Sequence, residues 1–165
     1  MTRTVLLASL LIVLAAPALA DANEEANMAR NLQFYQEVVN AGDLDRINDF
    51  IAEDYVEHES FPGLPQSREG VKQFFDMMRT AFPDVHFDVE FMLADGEKVV
   101  SYITMTGTHK GEFMGMAPSG KAFSIESIDI VRIVDGKAVE HWGVTDVMGM
   151  MQQLGAVPSM APAGE

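Results

Sequence analysis

The sequence predicts an α+β fold in which N-terminal helices cover one face of a curved antiparallel sheet. Three observations predict it. Apolar side chains recur at helical spacing between residues 23 and 82, and from Val85 onward the period changes to two. Two Asp-Gly pairs, Asp95-Gly96 and Asp135-Gly136, then separate extended runs, as tight hairpin turns require. Helices first and strands afterwards is the order of an α+β domain.

Residues 1–20 stand apart. Arg3 makes a positive start, residues 5–16 are apolar, and Ala18-Leu19-Ala20 forms a small-x-small cleavage site before Asp21. The expectation is an export signal cleaved after Ala20, with a periplasmic or secreted product that has no membrane contact after cleavage. About 145 residues then remain, enough for one domain over residues 21–155 and a Pro/Ala/Gly tail over 156–165. The chain has no cysteine, which excludes disulfides, thiol chemistry, iron–sulfur clusters and cysteine zinc sites. Its formal charge of −14 argues against nucleic-acid binding.

Residues 23–41 read as an amphipathic helix with Met28, Leu32, Tyr35 and Val39 on one side and Gly42 as its cap. Asp43 suits the start of a second helix over residues 44–52, and residues 53–60 read as a polar connection carrying Tyr55 and His58. Pro62, Gly63 and Pro65 make a loop. Ser67 then caps a third helix through Ala81 with Val71, Phe74, Phe75, Met78 and Phe82 on one stripe. Strands follow over residues 85–93 and 98–110, then a Gly/Pro/Met loop over 111–121, and a hairpin over 123–146 turning at Asp135-Gly136. Residues 147–154 close the domain as a short helix.

The hairpin carries the only tryptophan. If its second segment is a regular strand, Glu140, Trp142, Val144 and Asp146 share one face, and His141 points away from them. A carboxylate beside a large aromatic at a strand end is a natural place for chemistry. The ten phenylalanines and twelve methionines serve either to line a cavity or to fill a core.

Three stretches carry a family resemblance: NLQFYQEVVNAGDLDRINDFIAEDYVEHES, GTHKGEFMGMAPSGK and IDIVRIVDGKAVEHWGVTD. Together they resemble the SnoaL-like polyketide cyclases, or ester cyclases, within the larger fold of nuclear transport factor 2 and ketosteroid isomerase. The resemblance spans residues 31–155. It implies a cone-like α+β barrel with three N-terminal helices packed over a deep apolar pocket. It also implies aldol ring closure of a polyketide methyl ester without metal or cofactor, with acid/base catalysis by an aspartate that matches Asp146.

The candidate residues each have a plainer reading. Asp146 is a catalyst with a pKa raised by Trp142 and Val144, or the cap of the helix that starts at Val147. His58 is a catalytic hydrogen-bond donor at the pocket, or a loop histidine bonded to backbone. Gly143 leaves room for a bulge that would rotate Asp146 off the Trp142 face. Trp142, Tyr35, Tyr102, His109, Phe113 and Met116 are candidate substrate contacts; the tyrosines serve equally as core residues, and His109 as a brace for its loop. Glu126 and Asp129 lie on opposite faces of one strand, and Asp129 is a second candidate acid if it faces inward or one more surface charge if it faces outward. His86 reads as solvent-facing. The four histidines have no metal-ligand spacing, so no metal is assigned. No Gly-x-Ser-x-Gly, P-loop or dinucleotide fingerprint is present.

Two functions fit: a cofactor-independent enzyme acting on a small hydrophobic carbonyl or ester compound, or a non-catalytic exported protein that holds an apolar molecule in the same pocket. Homodimer pairing through the sheet is compatible with either.

Overall fold

The computed structural model describes residues 22–59 and 61–158; the expected export signal and residues 159–165 of the tail lie outside the described residues. Helix α1 (Ala22–Phe34) continues into a π-helical stretch, Tyr35–Asn40, which ends at Gly42 with φ +75°. Arg79 donates from Nη1 to the Val39 carbonyl at 2.9 Å and covers that end. The second helix is shorter than expected, a 3-10 turn (Leu44–Arg46) followed by α2 (Ile47–Phe50). Then come strand β1 (Ile51–Glu57), helix α3 (Arg68–Ala81), strands β2 (His86–Asp95), β3 (Lys98–Thr108), β4 (Ala122–Val134) and β5 (Lys137–Thr145), and helix α4 (Val147–Leu154).

The expected polar connection over residues 53–60 is largely strand. Polarity hid it, because Ile51 and Tyr55 alone supply its buried apolar side chains. It forms through tertiary pairing, running parallel to β5 at one edge of the sheet. The sheet is therefore five-stranded, ordered β1-β5-β4-β3-β2, curved and not closed into a full barrel. Helices cover its inner face. Phe75 meets Phe87 at 5.9 Å and Phe82 meets Phe123 at 5.0 Å, both edge to face. Each such buried aromatic contributes about 1.5–3 kcal/mol by leaving water.

The turn between β4 and β5 is the expected tight one, with Asp135 at φ 50° and Gly136 at φ 73°. Its first pairs, Val134 with Lys137 and Ile133 with Ala138, follow the simple hairpin register. The register then slips by one residue at Val139, so that Arg132 faces Glu140, Val131 faces His141 and Ile130 faces Trp142. Residues opposite each other across a ladder share a face. Val131 and Ile133 are buried on the inner face, so His141 points inward, and Trp142 lies outside beside the exposed Ile128 and Val144. The two do point to opposite faces as expected, but His141 is the one facing inward, and Trp142, a candidate substrate contact, lies outside. The bulge lies at Val139 and not at Gly143, and one inserted residue flips every side chain beyond it.

Candidate active site

A cavity lies between α1, α3 and the inner face of the sheet. Its wall is apolar, built largely from Phe34, Phe50, Phe61, Phe74, Phe75, Phe87, Phe113, Met78, Met105 and Met150. Its polar lining includes Arg30, Asn31 and Gln66, together with a cluster of ionisable side chains that has His141 at its centre. The ring donates from Nδ1 to Glu57 at 2.8 Å, while Nε2 stands 3.7 Å from Asp129 Oδ1, an ion-pair distance rather than a hydrogen bond. Asp129 also accepts from the Tyr35 hydroxyl at 2.7 Å and from Ser127 at 2.9 Å. Glu57 accepts from the Tyr55 hydroxyl at 2.7 Å and from the Glu59 backbone N–H at 2.8 Å.

Local structure explains the convergence. The alternation of β4 turns Ser127 and Asp129 inward with Val131 and Ile133, and the slipped register of β5 puts His141 on the same side. Tyr35 opens the π-helical stretch, a widened turn of a kind frequent at functional sites. Parallel pairing places Glu57 opposite His141.

Burial alone would lower the pKa of His141; the Asp129 and Glu57 carboxylates overcome that and raise it to about 10. Burial likewise pushes Asp129 up, but His141, Tyr35 and Ser127 together hold it below the ordinary carboxylate range. Glu57 is lowered against its burial by His141, Tyr55 and the Glu59 N–H. At neutral pH the cavity therefore holds an imidazolium between two carboxylates. Burial raises Tyr35, with the Asp129 charge adding to it, so its hydroxyl stays a donor.

Of the sequence candidates, Tyr35 and Phe113 line the cavity, and Asp129 does face in. The others do not reach it. Asp146 is exposed and caps α4, accepting from the Gly149 N–H at 2.8 Å. His58 stacks on Trp142 on the outer face, ring centroids 4.6 Å apart and planes 4° from parallel, with Lys98 5.5 Å from the same indole. Tyr102 stacks on exposed Phe91. His109 is buried beside Phe82, and its Nδ1 accepts from the Ser119 N–H at 3.2 Å, which makes it a brace for its loop. Met116 pairs with Phe113 by backbone hydrogen bonds and packs on the core outside the cavity. Sequence reasoning missed Glu57, Glu59, Ser127 and the inward face of His141. The Tyr55-x-Glu57-x-Glu59 alternation was the available signal for β1. Among the described residues, no group of three or more His, Asp or Glu is arranged to hold a metal ion.

Asp146→Ala is expected to cost about 1 kcal/mol through the lost cap, seen as a melting point lower by a few degrees, with turnover retained. Lost turnover at an unchanged melting point would return Asp146 to the mechanism.

The profile of the SnoaL-like polyketide cyclases matches residues 29–154. The chain belongs to that family. Nogalonic acid methyl ester cyclase of Streptomyces nogalater is 30% identical over 118 residues, spanning 70% of this chain and 88% of that enzyme. Aklanonic acid methyl ester cyclase DauD of Streptomyces sp. strain C5 is 30% identical over 131 residues, spanning 78% and 81%. Among solved structures, IdmH of Streptomyces antibioticus superposes with a TM-score of 0.69 at 33% identity, covering 78% of this chain and 98% of IdmH. In this SnoaL-like chain the titratable cluster sits in the cavity between α1, α3 and the sheet.

Proposed function

We propose that this SnoaL-like protein is an exported, cofactor-independent enzyme that performs acid/base chemistry, of aldol cyclisation or isomerisation type, on a small hydrophobic carbonyl or ester compound. One observation carries the reading: the His141 imidazolium clamped between Glu57 and Asp129 inside a largely apolar cavity. Burying three ionisable groups is costly, and a protein that only held an apolar molecule would gain nothing from it. The relatives named as methyl ester cyclases support the reaction type, and residues 1–20 support export.

The assignment follows from the geometry. Nδ1 of His141 is committed to Glu57, which fixes the ring, whereas the 3.7 Å gap at Nε2 leaves that N–H able to turn to a substrate oxygen. Asp129 takes the proton beside the carbonyl while the imidazolium stabilises the enolate oxygen that forms. Tyr35 and Ser127 hold the Asp129 carboxylate in place. Aromatic walls position a flat apolar substrate and exclude water, which strengthens each of these interactions.

The test is turnover of nogalonic acid methyl ester by the purified chain, followed by absorbance and product mass. Conversion to a cyclised isomer of identical mass is expected. Binding without any conversion, across esters and simple enolisable aryl ketones, would leave the chain a binding protein.

A further inference from the structure

Glu59 and Gly143 form an arrangement that the assignment above does not use. Glu59 stands two residues beyond β1, where its backbone N–H donates to Glu57 Oε1 at 2.8 Å and turns the chain so that its side chain joins the cavity wall. Across from it, Gly143 leaves a notch in β5. A Cβ at position 143 would lie 2.2 Å from Glu59 Oε2 and 3.0 Å from His141 Cε1, so any other residue would fill the seat that the carboxyl occupies. Gly143 does not have positive φ, and it pairs regularly with Asp129. Its backbone therefore makes no demand for glycine; the close approach of Glu59 does.

We propose that Glu59, seated in the Gly143 notch, is a second catalytic residue, the acid that protonates the alkoxide formed on ring closure. This rests on the carbonyl acid/base reading of the cavity. The groups that face Glu59 are Glu57 and Tyr55 from β1, Asp129 from β4 and His141 from β5. They divide the acids by role. Glu57 and Asp129 each accept hydrogen bonds and pair with His141, which keeps them ionised. On Glu59, burial is the largest influence and, with the charges of Asp129 and Glu57, it outweighs His141 and favours the protonated form. Neighbouring carboxylates whose environments push them apart are the mark of an acid and base set.

An aldol closure needs two proton transfers, and the site then has a group for each. Asp129 removes the proton from the carbon beside one carbonyl. That electron pair forms the new carbon–carbon bond to the acceptor carbonyl carbon, and the π pair of the acceptor moves to its oxygen. The Glu59 O–H gives its proton to that oxygen, leaving a hydroxyl on the product. Asp129 now holds a proton and Glu59 lacks one; transfer between them through His141 or solvent restores the site with no net change.

The experiment pairs kinetics with a readout that does not depend on turnover. Glu59→Gln keeps the shape and removes the proton. Its kcat for nogalonic acid methyl ester is expected to fall by about 10²-fold or more with KM within about twofold, and Glu59→Asp to recover part of it. Wild-type kcat should decline as pH rises through the Glu59 titration, and that limb should vanish in Glu59→Gln. Infrared spectra of carboxyl-labelled protein recorded as a pH series should show a protonated carboxyl band that persists to higher pH than that of an ordinary glutamate and that Glu59→Gln lacks. The carbonyl stretch of bound 1,8-dihydroxyanthraquinone should move down in wild type relative to Glu59→Ala. An unchanged kcat in Glu59→Gln, or no carboxyl band lost with Glu59, overturns the proposal. A wild-type chain that converts no ester, yet shows both infrared effects, overturns the cyclisation reading and retains Glu59 as the donor to a bound carbonyl.

Discussion

Replacing Asp129 with Asn is expected to lower kcat by about 10²–10⁴-fold, the usual contribution of a positioned general base. The substitution keeps the size of the side chain and leaves its oxygen able to accept from Tyr35 or Ser127, so the fold should persist. What it removes is the carboxylate proposed to take the substrate proton. Asp129 is held by His141, Tyr35 and Ser127, and its assigned part is in proton transfer rather than in binding, so KM should change far less than kcat. The measurement is steady-state turnover of the methyl ester beside a thermal melt of the same preparation. Full turnover in a folded Asp129→Asn variant would remove Asp129 from the mechanism.

His141→Gln should give the largest loss of stability. It leaves Glu57 and Asp129 buried without their shared cation, and breaking a buried ion pair from one side costs about 3–5 kcal/mol. In a chain of this size that corresponds to a melting point lower by about 10 °C. The pH dependence carries the sharper signature. Folding raises His141 from the ordinary histidine value of about 6.5 to about 10. The ion pair's contribution is therefore fully present below about pH 6.5 and is lost as pH rises through about 10. Glu57 and Asp129 are lowered, so their contribution is present above the ordinary carboxylate range and is lost as pH falls through their folded values. The difference in melting point between wild type and His141→Gln should peak between these limits and shrink toward alkaline pH. A constant difference from pH 6 to 10 would mean that His141 is not held as an imidazolium.

Much of the fold was legible in the chain itself. The helical stripe from Val71 to Phe82 and the alternation from Val85 onward are local patterns, and burying an apolar face forces each of them into one conformation. The Asp135-Gly136 turn needs left-handed backbone at both positions, which these residues accept most readily. The sequence put Glu126 and Asp129 on opposite faces of β4 but left open which of them faces in; burial of the Phe123, Ile125, Val131 and Ile133 face decided for Asp129.

What the chain did not disclose was register and partnership. Strand β1 is too polar to announce itself, and it exists because β5 offers it a parallel edge. The bulge at Val139 has no local marker: no glycine or proline sits there, and a regular hairpin would have placed Trp142 opposite Asp129. The side-chain period of a strand is two, so one inserted residue exchanged the faces of Trp142 and His141. That moved the site from Asp146 at the strand end to His141 at its centre. The sequence by itself determined the helices, the hairpin turn and the family. Only the tertiary structure decided which carboxylates meet the histidine, because that depends on pairing between strands 84 residues apart, Glu57 with His141, and on no local preference of either.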